Sequence, residues 1–71
     1  MTNAREIATL EFRDVESDED GVIVIRVGGG SVGLAISLRT DGDIEVFLSP
    51  AQAVAVAEKL REASLAAESL P

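Results

Sequence analysis

The sequence contains no cysteine, no histidine, no tryptophan and no tyrosine, and only two phenylalanines. Each absence closes a route. Without cysteine there is no disulfide staple and no thiolate metal site, and without histidine the commonest zinc ligand and the commonest general base are gone. Nucleophilic catalysis needs a nucleophile beside a group that activates it. Ser17, Ser31, Ser37 and Ser49 have no histidine or cysteine to work with, and the one lysine, Lys59, falls in the C-terminal segment. Asp41 and Asp43 flank a turn, where short carboxylates hydrogen-bond the backbone, whereas paired-carboxylate glycoside chemistry needs a cleft. This inventory argues against an enzyme and points to no cofactor and no metal.

Basic residues are scarce as well: six lysines and arginines face thirteen acids, for a net charge of −7. Such a chain repels phosphate backbones and anionic lipid surfaces, so nucleic acid and membrane are poor partners for it. No apolar run approaches the ~20 residues of a transmembrane helix, and none follows a basic leader segment. A cytoplasmic location is expected. Five arginines to a single lysine, with abundant alanine and valine, is a usage common in high-GC and haloadapted prokaryotic genomes.

What is present fits one domain of 71 residues. Chains this short bury only about 60% of the surface exposed by their unfolded form, and they usually need a staple. With disulfides and thiolate metal sites excluded, oligomerisation remains, and a homodimer is expected.

Residues 1–6 are polar and expected to fray, 7–48 to form a β-meander and 50–69 a helix. From Ile7 to Asp14, Ala8, Leu10 and Phe12 alternate with Thr9, Glu11 and Arg13, the period of a half-buried strand; a short helix from Thr2 or Asn3 is the alternative. Glu16-Ser17-Asp18-Glu19-Asp20-Gly21 is an acidic turn, and Val22 to Val27 is β-branched and apolar on both sides, like a central strand. Gly28-Gly29-Gly30-Ser31 turns the chain, Val32 to Arg39 alternates again, and Ile44, Val46 and Leu48 mark the last strand.

Register follows from which loop puts the apolar residues on one face. A loop Thr40-Asp41-Gly42 with Gly42 left-handed pairs Leu38 with Ile44, Ile36 with Val46 and Leu34 with Leu48. A four-residue glycine loop, Gly28-Gly29-Gly30-Ser31, likewise pairs Val27 with Val32 and Ile25 with Leu34. The expected core face is then Leu10, Phe12, Ile23, Ile25, Val27, Leu34, Ile36, Leu38, Ile44, Val46 and Leu48.

Ser49-Pro50-Ala51-Gln52 is a helix start: an N-cap serine, proline at the first helical position, and glutamine three residues after the serine to close a capping box. Ala53, Val56, Ala57, Leu60, Ala63 and Ala67 make one stripe of the helix that follows. The predicted class is α+β: a four-stranded antiparallel meander with one C-terminal helix packed on one face. That helix leaves the other face bare, with Val22, Val24 and Phe47 among Arg26, Arg39 and Glu45. Clustered apolar residues outside a core mark an interface. Val22, Val24, Phe47, Arg26 and Arg39, with Val54 and Leu65 on the helix's second face, are therefore the candidate contact residues, for a second copy or for a protein partner.

Two motifs have simpler readings. Gly28, Gly30 and Gly33 fit the spacing G-x-G-x-x-G, but a dinucleotide fingerprint needs a helix after the loop, and a strand follows here. Glu16, Asp18, Glu19 and Asp20 cluster without the ligand spacing of a calcium loop and read as a solvated turn.

Four antiparallel strands running into a helix through Ile44-Glu45-Val46-Phe47-Leu48-Ser49-Pro50-Ala51-Gln52 resemble the single-stranded-DNA-binding coactivator family typified by positive cofactor 4. The resemblance covers about ten residues and implies a dimer that binds single-stranded DNA. Such binding wants a positive groove and aromatic platforms, for which this chain offers Arg13, Arg26 and Arg39 at net charge −7. The sequence favours instead a small acidic interaction or accessory protein, homodimeric, that acts by binding another macromolecule. An acidic inhibitor, or nucleic-acid mimic, occupying a basic partner's surface is the second expectation.

Overall fold

The computed structural model describes residues 5–40 and 42–70. They form strands β1 (Arg5–Arg13), β2 (Asp20–Gly28), β3 (Ser31–Leu38) and β4 (Gly42–Leu48), then helix α1 (Pro50–Ser69). The strands make one antiparallel sheet in the order β1-β2-β3-β4. This is the expected ββββα arrangement of the α+β class. β1 starts at Arg5, so Arg5 and Glu6 are strand where fraying was expected, and the described part of the segment is not helical. Residues 1–4, also expected to fray, lie outside the described residues.

Turn chemistry sets each register. Gly29 and Gly30 have φ of 61° and 78°, the left-handed pair that a two-residue hairpin turn requires. They hold Val27 opposite Val32 and Ile25 opposite Leu34, as expected, with the ladder extended to Gly28 and Ser31. Between β3 and β4 the expected register is wrong by two residues: Leu38 faces Gly42, Ile36 faces Ile44, Leu34 faces Val46 and Val32 faces Leu48. Gly42 is left-handed (φ 82°), but it already stands in the ladder, so the chain reverses one residue earlier than expected. Because side chains alternate with a period of two, a two-residue slip keeps every apolar residue on its face.

That face carries Ala8, Leu10 and Phe12 on β1, then Ile23, Ile25 and Val27 on β2. β3 adds Val32, Leu34, Ile36 and Leu38, and β4 adds Ile44, Val46 and Leu48. It is the apolar face. Gly21 interrupts it for a steric reason. A Cβ there would lie 2.5 Å from Phe12 Cζ and 2.9 Å from Leu38 Cδ2, so the Phe12 ring lies flat over the neighbouring strand. The opposite face repeats the device more loosely, with Phe47 over Gly33 and 3.3 Å from its notional Cβ. Ile7 is an extra residue between the pairs Glu6–Arg26 and Ala8–Ile25, a bulge that bends the outer edge of β1.

The helix begins as its sequence requires. Gln52 N–H donates to Ser49 Oγ at 3.1 Å, and Ser49 N–H donates to Gln52 Oε1 at 2.9 Å, closing the capping box behind Pro50. Its placement departs from expectation. The helix does not pack on the sheet: only its first turns approach β3 and β4, Ala53 alone is half-buried, and no helical residue is buried. The body measures 49 × 29 × 15 Å, longer than the ~30 Å of a 20-residue helix, because helix and sheet extend one beyond the other. The physical reason is the connection. Ser49, extended at φ −68° and ψ 161°, is the one residue between β4 and α1, whereas αβ-type connections usually use about 2–6 residues. No slack exists to turn the helix back over its own sheet.

A difference between the two glycines tests this packing. Gly21→Ala should destabilise by on the order of 1–3 kcal/mol, the usual cost of overpacking, while Gly33→Ala should be close to neutral. Urea midpoints measure both, and equal midpoints would remove Phe12 from over Gly21.

Candidate functional site

With the helix standing off, the sheet offers two surfaces. The apolar face is open: Ile44 is 61% exposed, Val46 41% and Leu10 51%. Gly33 is the one buried residue among those described, and no apolar side chain is buried. These side chains were expected to form the core beneath the helix, and the structure leaves them without cover. The signal for this lies in the single-residue link at Ser49 rather than in the alternation of the strands.

The second face is mixed. Val22, Val24, Arg26 and Phe47 share it, as expected, because Val22 pairs with Ser37, Val24 with Ala35, and Gly33 with both Arg26 and Phe47. Val22 and Val24 are half-buried, and Phe47 is 68% exposed. Arg26 Nη1 donates to Glu45 Oε2 at 3.0 Å across β3, and Gly33 between them has no side chain to block the contact. Arg26, Gly28, Ser31, Gly33, Glu45 and Phe47 line a shallow hollow. It is a neutral ion pair beside an aromatic ring. Arg39 stands away from this group, exposed in the turn after β3, and Val54 and Leu65 are exposed on the helix.

The acidic turn is held by its own backbone and spends the carboxylates of Asp18, Glu19 and Asp20 on its own chain. Asp14 N–H donates to Glu19 O and Asp18 N–H to Asp14 O, both at 2.8 Å. Asp18 takes a left-handed φ of 64°, a conformation aspartate tolerates better than most residues. Arg13 bridges Asp18 at 3.3 Å and Asp20 at 3.0 Å. Glu19 accepts from the Thr40 hydroxyl at 2.7 Å, tying this turn to the one after β3. Among the described residues no three acids converge as metal ligands would. Gly28, Gly30 and Gly33 belong to a hairpin with no helix after it. No described helix is long and apolar enough to cross a membrane.

The titration of Asp14 clearly moves. The Ser17 backbone N–H, 2.8 Å from its carboxylate, then the Ser17 hydroxyl and the Glu16 backbone N–H, hold its carboxyl below the ordinary 3.8. A depressed carboxyl stabilises the fold above its unfolded value and loses that contribution as pH falls through the folded one. Asp14→Ala should therefore lower Tm at pH 7, and the gap from the parent should close as the pH drops below about 4. Thermal unfolding across that range is the measurement; a gap that persists at low pH would mean that Asp14 acts through something other than its charge.

Comparison of the chain with known proteins gives no match: no family model, no curated protein and no solved structure aligns with it.

Proposed function

We propose that this protein is a small acidic interaction or accessory protein that works as a homodimer and binds another macromolecule without catalysing a reaction. The observation that carries the reading is the open apolar face, whose side chains are exposed at Leu10, Ile36, Ile44 and Val46 and only half-buried elsewhere, with no helix over them. A monomer rarely exposes a contiguous apolar patch of that extent. A second copy is the partner that covers it, and the mixed face, with Phe47 beside the Arg26–Glu45 pair, then remains for the other macromolecule. Exposed aromatic and arginine side chains are the usual anchors of such contacts.

The acidic-inhibitor reading keeps some support from the net charge of −7 and from the exposed tip at Glu16, Ser17 and Asp18. Binding of that kind weakens steeply with salt, whereas an apolar contact does not. Single-strand binding has less to draw on, because Arg13 and Arg26 are already ion-paired with acids of their own chain.

Light scattering or native mass spectrometry should give twice the 7.4 kDa chain mass, with an unfolding midpoint that rises with protein concentration. Ile36→Asp, at the centre of the apolar face, should abolish the dimer and most of the folded signal, while Phe47→Asp keeps both. A stable, monodisperse monomer would overturn the reading.

A further inference from the structure

We infer that the apolar face of each sheet is covered by helix α1 of a second copy, the two chains exchanging their C-terminal helices reciprocally. The inference rests on the homodimer proposed above and specifies which surfaces meet.

Area comes first. The accessible surface is 5737 Å², whereas a folded monomer of this mass exposes about 4,200 Å² by the scaling of surface with size. The excess of roughly 1,500 Å² per chain exceeds the ~800 Å² that each partner buries in a standard interface, and falls in the range of obligate dimers.

Shape selects the occupant. The face is about 26 Å long, from eight residues at ~3.3 Å, and about 19 Å across four strands at ~4.8 Å. A helix of about 30 Å spans it from end to end. The side of α1 bearing Ala53, Val56, Leu60, Ala63 and Ala67 carries no charge, and its small residues permit close approach. Val56 and Leu60 stand exposed there, lining a groove with Ala55 and Lys59, whose ammonium is paired with Glu62 at the stripe's border. Apart from Arg5, which pairs with Val27 at the start of β1, the apolar sheet face carries no charged side chain from Ala8 to Phe12, Ile23 to Val27, Val32 to Leu38 or Ile44 to Leu48, since Arg26 and Glu45 lie on the other face. Two chains of charge −7 can therefore meet without pressing carboxylates together. Pairing sheet with sheet would leave both helices bare, and the link at Ser49 keeps each helix off its own sheet. Reciprocal exchange satisfies both surfaces at once and closes on two copies.

The absence of cysteine makes the test direct. Leu60→Cys and Ile36→Cys chains are unfolded together, refolded as a mixture, and oxidised or treated with a short bismaleimide. A covalent 36–60 link between chains, identified by peptide mass, is the expected product. Should either variant fail to fold, Val56→Cys with Leu34→Cys repeats the measurement. A chain carrying both Leu60→Cys and Ile36→Cys that closes on itself at the monomer mass overturns the exchange. So do 36–36 or 60–60 links alone, a 47–60 link with Phe47→Cys in place of the 36–60 link, a ladder of larger species, or a dimer with no link. In those cases, apart from the ladder and self-closure at monomer mass, the homodimer itself still stands; an unlinked 7.4 kDa monomer removes both.

Discussion

The constraint on which the rest of this structure depends is the single residue between β4 and α1. Ser49 does two things at once. Its hydroxyl caps the helix through Gln52, and its extended backbone carries the direction of β4 straight into that helix. A cap of this kind is worth on the order of 1 kcal/mol to a helix. Its geometric effect is larger, because it separates the two surfaces of the chain most in need of each other. The apolar side chains of the sheet face are left without a helix of their own chain over them.

Much of the architecture was legible in residue types. Alternation in β1, β3 and β4 placed the strands, and the loop Gly28-Gly29-Gly30-Ser31 placed a hairpin whose register came out as read, though its turn is two residues shorter. Ser49-Pro50-Ala51-Gln52 placed the helix start to the residue. The register of β3 on β4 was not legible, and the reason is symmetry. Reversing around Thr40 or around Asp41 both give three-residue loops with all apolar residues on one side, so the pattern cannot choose between them. Phe12 over Gly21 was invisible for a related reason, since it appears only once a register is known.

The surfaces were half-legible. Val22, Val24, Arg26 and Phe47 do share one face, because strand periodicity alone decides that. What covers the other face is a different kind of question. Alternation says which side chains avoid water and is silent on which molecule supplies the cover, and a stripe of alanines suits its own sheet as well as another's. The turn at Asp14 to Glu19 shows the same limit on a smaller scale. Its composition announced a turn, but only the fold shows that Arg13 engages Asp18 and Asp20 and that Thr40 engages Glu19.

The two edges of the sheet are guarded by different means. β1 is bent at Ile7 by an extra residue, a geometric obstacle to any strand that would add itself there. β4 is regular from Gly42 to Leu48, with Ile44 and Val46 on one side and Asp43 and Glu45 on the other. Its guard is electrostatic: with Glu45 already paired to Arg26, two such edges brought together set the Asp43 carboxylates near one another. Steric protection is indifferent to solvent, whereas charge protection is set by protonation and ionic strength. The sheet thus has one edge guarded by shape and one whose resistance to strand-by-strand growth is conditional, at the end where the helix begins.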